Sequence, residues 1–330
     1  MLVDGVLLLV GFVLLIVGAD YLVRGAVSIA ERLGVSPLII GLTIVACGTS
    51  LPELVVSVRA TLAGSAPLAI GNVVGSNICN ILLILGTAAL LAPLRCDRVV
   101  LLRDGSMMLI ATAYFAGATL VGGYGPAYGI VAILGLTGAM LFSYWHDKRS
   151  GDDLHQLEAE EVSPIQGSWA LLILAVVLGL AGVIGGAELL VESAVSIARG
   201  VGVSEEVIGL TLVAFGTSVP ELATTVVAAI RRHADVAIGN VLGSNLFNLL
   251  GILGVTSLID IIPTPPATAA FDVWVLIAVS VLMIVFMRTG WRLGRREGAV
   301  LVVLYVVFVI AQFLGIGQMM VEEVGPVVIT

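Results

Sequence analysis

The sequence predicts an all-α polytopic membrane protein of ten transmembrane helices, arranged as two inverted five-helix repeats. Three observations carry that reading. The chain is 59% hydrophobic and only 12% charged, with a mean hydropathy of +1.15, far from the averages of soluble domains. Apolar stretches near the ~20 residues that cross a bilayer recur from end to end. Finally, a forty-residue passage occurs twice without a gap. Residues 41–80 return as 209–248, 168 residues later, with 23 of 40 positions identical.

The N-terminal MLVDGVLLLV enters an apolar run with no basic residue before it. It lacks the n-region of a cleavable signal and reads as a retained first span, about 3–23. The second and third spans, about 37–60 and 67–92, hold the first copy of the duplicated passage. Arg95-Cys96-Asp97-Arg98 ends the third. A fourth span, about 99–121, stops at the turn Gly122-Gly123-Tyr124-Gly125-Pro126, and a fifth follows at about 126–145. The stretch 146–166 is the longest polar one, so no separate soluble domain fits. Spans at about 169–190, 205–229 and 235–259 repeat the first three. The loop with Pro263, Pro265 and Pro266 and the charged loop 292–297 then frame spans at about 272–288 and 298–318.

This gives a first five-helix repeat over 1–146 with its core at 41–80, a short cytoplasmic linker at 147–167, and a second repeat over 168–330 with its core at 209–248. With the N-terminus outside, thirteen Lys and Arg fall on the inner side and only Arg59 and Arg199 on the outer. The positive-inside rule therefore puts both termini outside a plasma membrane. Five spans per half is an odd number, so the second half enters from the opposite side. Inverted halves are characteristic of secondary transporters, whose sites lie near the midplane between repeats.

Other features point away from competing classes. Cys47, Cys79 and Cys96 are odd in number and lack CxxC spacing, so they predict neither a zinc site nor a disulfide framework. His146, His155 and His233 read as solvated loop residues. A net charge of −8 argues against nucleic acid as a partner. Trp145, Trp169 and Trp274 sit near span ends, as interfacial or simply packed aromatics do. Asp20 and Glu188 align between the halves but read as residues reaching the interface at span ends.

The duplicated passage carries the chemistry. Gly48-Thr49-Ser50-Leu51-Pro52-Glu53 matches Gly216-Thr217-Ser218-Val219-Pro220-Glu221. A carboxylate at membrane depth is costly and calls for a proton or cation partner. A proline within a helix removes a backbone hydrogen bond, so Pro52 and Pro220 are expected to open carbonyls around Ala46 to Thr49 and Ala214 to Thr217. Such carbonyls are tolerated in a membrane where they are buried or line a cavity. The second element, GNxxGSNxxN, starts at Gly71 and again at Gly239. It places Ser76 with Asn80, and Ser244 with Asn248, on shared helix faces. Each piece alone has a bland reading: GxxxG as helix packing, an intramembrane hydroxyl bonding back to its own helix, a proline that merely bends. The matched pair Glu53 and Glu221 does not. Two carboxylates with amide, hydroxyl and carbonyl oxygens suit calcium, sodium or magnesium rather than zinc or copper.

These residues resemble the alpha-repeats of the calcium/cation antiporter superfamily, and within it the prokaryotic sodium/calcium exchanger branch. GTSLPEL and GTSVPEL, each followed by GNxxGSNxxN, are specific signals, and the resemblance covers nearly the whole chain. The long regulatory loop of animal exchangers is missing. The resemblance implies a non-enzymatic antiporter without cofactors that exchanges Ca²⁺ for Na⁺ by alternating access. It implies that Glu53 and Glu221 hold Ca²⁺ centrally, helped by backbone carbonyls of Thr49 and Thr217. Ser50, Ser76, Ser218 and Ser244, with carbonyls of Ala46 and Ala214, would line sodium sites, and Asn80 and Asn248 fill the remaining central positions. Several exchangers carry aspartate where this chain has Asn248, which leaves the ion ratio open. The long spans at about 3–23 and 169–190 would be the moving gate. The alternatives are an H⁺/Ca²⁺ antiporter, a role for K⁺ as counter-ion, and, from other classes, a cation channel or an intramembrane hydrolase. No protein partner is evident beyond the lipid bilayer.

Overall fold

The computed structural model describes residues 2–150, 165–201 and 214–324. It is helical, with two short ribbons. Helix α1 (Leu2–Leu33) is followed by α2 (Pro37–Thr49) and α3 (Leu51–Leu62), which meet at an angle of 45°. Then come α4 (Pro67–Leu91), α5 (Arg98–Val121) and α6 (Pro126–Arg149). The second half holds α7 (Trp169–Gly200), the single turn α8 (Ala214–Gly216), α9 (Val219–Ile230), α10 (Ala234–Ile259), α11 (Thr268–Trp291), α12 (Arg295–Phe313) and α13 (Ile316–Val324). Among the described residues eight helices are long and apolar enough to cross a membrane, and the bent pair α2–α3 makes up to nine. The first part of the expected span 205–229 lies outside the described residues, as does His155.

Several boundaries differ from expectation, each for a physical reason. Helices α1 and α7 run about ten residues further than the spans at 3–23 and 169–190, to 32 residues each. At 1.5 Å per residue that is ~48 Å, longer than a ~30 Å hydrocarbon core is thick. Asp20 is thus well inside α1 rather than at its end. It is tolerated there because Arg231 Nη2 lies 2.6 Å and Arg24 Nη1 3.7 Å from its carboxylate. The last span stops at Phe313, where Gly315 takes φ +67° and a separate short helix begins.

Packing puts α4 and α10 at the centre. Every residue from Val236 to Leu246 of α10 is buried, and α12 at the rim is mostly exposed. Small residues set these distances. A Cβ on Gly243 would stand 2.2 Å from the Leu42 carbonyl oxygen, so α2 and α10 touch backbone to backbone only because glycine is there. Along α1, Gly11, Gly18 and Gly25 recur every seventh residue and face α7. A Cβ on Gly18 would lie 2.7 Å from Val183 N and 2.8 Å from Gly179 O. The two longest helices therefore meet backbone to backbone at Gly11 and Gly18.

Two antiparallel ribbons cross-link the halves. Strand β1 (Leu94–Arg95) pairs with β4 (Arg292–Leu293), and β2 (Gly123–Tyr124) pairs with β3 (Ile262–Pro263). Leu94 and Ile262 stand 168 positions apart, as do Tyr124 and Arg292, which is the offset of the duplicated passage. Each ribbon thus joins a strand of one half to the other half's partner strand.

Candidate functional site

The break between α2 and α3 positions the first carboxylate. Ser50 sits at the joint with φ −85° and ψ 9°. Pro52 is the second residue of α3, a position where a missing N–H leaves no bond unmade. The proline therefore starts a new helix instead of kinking one already running. Not all of the expected carbonyls open. Ala46 O still accepts Ser50 N–H at 3.0 Å, and Thr49 Oγ1 approaches the same oxygen at 3.4 Å. The second copy turns more tightly, with Ser218 N–H donating to Phe215 O at 3.0 Å. Glu53 and Glu221 each lie in the first turn of their helix, α3 and α9. The positive end of the helix dipole favours negative charge there.

The two copies then exchange partners. Ser50 Oγ donates to Glu221 Oε1 at 2.9 Å, and Ser218 Oγ donates to Glu53 Oε1 at 3.4 Å. Each carboxylate is therefore held by the serine of the other half. Both glutamates are buried, at 0% and 2% exposure. Desolvating two carboxylates side by side is costly, and their other oxygens, Oε2 in both cases, are buried without a hydrogen-bond partner.

A shell of amides surrounds them. Asn72 Nδ2 donates to Glu53 O at 3.1 Å and to Ser57 Oγ at 2.9 Å, which ties α4 to α3. Its counterpart Asn240 donates to Thr225 Oγ1 at 2.9 Å and takes a contact from Thr49 Oγ1 at 3.4 Å. Asn80 Nδ2 reaches across the halves to Asn245 Oδ1 at 3.2 Å. Asn72, Asn240 and Asn245 were not singled out from the sequence, although each lies in the duplicated GNxxGSNxxN element and shares its signal. Ser76 is buried with Asn80 in α4.

The unpaired atoms define what the site can take. Besides the two Oε2 atoms, Asn77 Oδ1, Asn80 Oδ1, Thr217 Oγ1, Ser244 Oγ and both amide atoms of Asn248 are buried and unbonded. Buried polar groups are normally paired, so this concentration of orphan oxygens fits a hard cation with oxygen ligands. No group of three or more His, Cys, Asp or Glu forms among the described residues, so the two glutamates have neutral company. Ala214 is the first residue of α8.

A second matched acid pair lies off the duplicated core. Asp104 is fully buried in a π-helical turn of α5 and accepts from Arg103 Nη2 at 2.7 Å and Ser143 Oγ at 2.6 Å. Asp272, 168 residues on, sits in the matching turn of α11 and accepts from Gln312 Nε2 at 2.6 Å. Both carboxylates are satisfied locally and serve packing. His146 lies 3.3 Å from Arg103 Nη1 on α6. His233 is not a solvated loop residue: its Nε2 is buried, and burial with the nearby Arg231 holds its imidazole below the usual range.

The chain matches a family described as "Sodium/calcium exchanger protein" over residues 4–145 and 171–314. It is 36% identical over 345 residues to the sodium/calcium exchanger MaX1 of Methanosarcina acetivorans, covering 94% of this chain and 99% of that one. It is 35% identical over 304 residues to the inner membrane protein YrbG of Escherichia coli, covering 90% and 92%. Among solved structures it superposes on the sodium–calcium exchanger NCX_Mj, soaked without Na⁺ and Ca²⁺, with a TM-score of 0.82, 32% identity and coverage of 94% of this chain and all of the other.

Proposed function

Because the chain belongs to the sodium/calcium exchanger family, we propose that it exchanges Ca²⁺ for Na⁺ across the membrane by alternating access at the site between its halves. It is a transporter, not an enzyme. The crossed hydrogen bonds of Ser50 with Glu221 and of Ser218 with Glu53 carry this reading. They make one site from two halves, so one rearrangement between the halves can alter every ligand together.

Glu53 and Glu221 hold Ca²⁺, and their unbonded Oε2 atoms are its first ligands. Carbonyls of Thr49 and Thr217 complete the central site, with Asn80 and Asn248 beside it. Ser50, Ser76, Ser218 and Ser244, with carbonyls of Ala46 and Ala214, take Na⁺. Two carboxylates neutralise one Ca²⁺, and the same oxygens accept Na⁺ in its place, so occupancy is exclusive. Exclusive occupancy is what exchange requires.

The ribbons, joined with exchanged roles, support a two-fold axis in the membrane plane and hence inverted repeats. Ten spans follow when α8 and α9 close the span that begins outside the described residues. Both termini then face the cell exterior, as the basic residues require. The test is Ca²⁺ uptake into sealed vesicles loaded with Na⁺. Uptake under an outward Na⁺ gradient is the expected result; uptake driven only by a proton or K⁺ gradient would reject sodium coupling.

A further inference from the structure

We infer that Asn77 and Asn245 are positioning residues whose hydrogen bonds alternate with the side to which the site opens. Asn245 holds Asn80 in this structure, and Asn77 holds Asn248 in the opposite state. The inference rests on the reading of the chain as an inverted-repeat Ca²⁺ carrier. Its starting point is four asparagines in two matched pairs. Asn77 matches Asn245 and Asn80 matches Asn248, each 168 positions apart. All four are at most 1% exposed, on the central helices α4 and α10.

One bond of this set is made and its twin is open. Asn80 Nδ2 donates to Asn245 Oδ1 at 3.2 Å. The duplicate of that bond would run from Asn248 Nδ2 to Asn77 Oδ1. Among the described residues both of those atoms are buried without a partner. Buried polar groups are normally paired, and here the open donor and the open acceptor are the two that the duplication would join. The serines differ in the same direction. The bond from Ser50 to Glu221 is 2.9 Å, and its twin from Ser218 to Glu53 is 3.4 Å. In both cases the donor of the first half makes the closer contact.

Symmetry gives this difference a meaning. A two-fold axis in the membrane plane exchanges the halves and the two faces of the membrane together. When the halves trade conformations, the site therefore turns to the other side. The Asn80–Asn245 bond is lost and the Asn248–Asn77 bond takes its place. In this structure Asn80 is held with its Oδ1 left unbonded for a cation, while neither amide atom of Asn248 is bonded. The opposite state reverses these roles. The two states are not equivalent in this chain. Asn245 Nδ2 donates to Met108 Sδ at 3.7 Å. The position matching Met108 is Leu276, which offers no acceptor, and Asn77 Nδ2 donates to Val73 O of its own helix at 2.7 Å. The weak sulfur acceptor of Met108 thus favours the state seen here.

The test is Ca²⁺–Ca²⁺ exchange by the full-length chain in sealed right-side-out and inside-out membrane vesicles. The readout is the ratio of the apparent Ca²⁺ KM at the two faces. For a carrier that crosses only when loaded, this ratio scales with the equilibrium between its two loaded states. Asn245→Leu should move the ratio about fivefold, the worth of one neutral hydrogen bond. Asn77→Leu should move it as far the other way, and the double variant should return it to near its starting value. Loss of packing alone lowers the rate without moving the ratio in opposite directions. Met108→Leu conserves volume and serves where an asparagine variant fails to fold. It should move the ratio about twofold in the direction of Asn245→Leu, as a weak hydrogen bond would. A ratio that these variants leave unmoved, or that Asn77→Leu and Asn245→Leu move the same way, would overturn the inference and leave the transport reading standing. No Ca²⁺ exchange by the unmodified chain in either vesicle would overturn the transport reading and this inference with it.

Discussion

Replacing Glu221 with glutamine isolates the charge of the site from its shape. Glutamine keeps the length and an acceptor oxygen, so Ser50 Oγ still has its partner at the position now 2.9 Å away. What changes is one unit of formal charge and the unbonded Oε2, which becomes an amide donor. A carboxylate and a Ca²⁺ at roughly 2.4 Å attract by about 14 kcal/mol at an effective dielectric of ~20. Much of this is offset, because the glutamine site no longer has to desolvate a carboxylate, a saving of several kcal/mol. If only about 4 kcal/mol survives, Ca²⁺ affinity falls roughly a thousandfold. The attraction to one Na⁺ is about half as large, so Na⁺ affinity falls less. The assay is titration calorimetry for each ion, beside Ca²⁺ flux in proteoliposomes. Near-normal exchange by Glu221→Gln, or equal losses for the two ions, would refute the assignment. Glu53→Gln should behave alike.

Other outcomes follow from the same geometry. Protons compete with Ca²⁺ for the two buried carboxylates, so lowering pH should slow exchange and raise the apparent Ca²⁺ requirement, measurable as uptake at fixed Na⁺ gradient across pH. Gly243→Ala would push a Cβ to 2.2 Å from Leu42 O and 2.7 Å from Ala46 Cβ; thermal melting should show a loss of about 1–3 kcal/mol, whereas Gly5→Ala, in open space, should melt unchanged. Asp104→Ala leaves Arg103, 7% exposed, without its carboxylate and should cost about 3–5 kcal/mol by the same measurement, with ion selectivity unaltered.

The duplicated passage made the centre of the molecule legible, because an acid in an apolar helix is conspicuous and a repeated one doubly so. The direction of its hydrogen bonds was not legible. Nothing in GTSLPEL says that Ser50 serves Glu221 rather than Glu53; that depends on how the halves meet. The end of α1 lies beyond the expected one because Asp20 and Arg24 look like the edge of a membrane span. Their ion pair, completed by Arg231 from 211 positions away in the chain, lets the helix continue. Asp104 and Asp272 escaped notice beside basic or polar neighbours at span edges, although the 168-residue offset that matched Glu53 with Glu221 also matches them. The bend expected at Pro52 is present, as the 45° angle between α2 and α3, and Pro52 and Pro220 each stand second in a new helix.

The orphan oxygens give a final consequence for the transport cycle. With Ca²⁺ or Na⁺ bound, the charge of Glu53 and Glu221 is balanced. Without an ion, two buried carboxylates remain with an unbonded oxygen each. Carrying them from one side of the membrane to the other adds a desolvation penalty of several kcal/mol per charge. That slows the empty transit by about a thousandfold or more at ~4 kcal/mol. Ca²⁺ release from loaded proteoliposomes should therefore collapse in buffer free of Na⁺ and Ca²⁺. It should return when either ion is added outside, since Ca²⁺–Ca²⁺ exchange needs no empty transit. Rapid release into ion-free buffer would mean that the site does not bar the empty form, and would favour a channel over an exchanger.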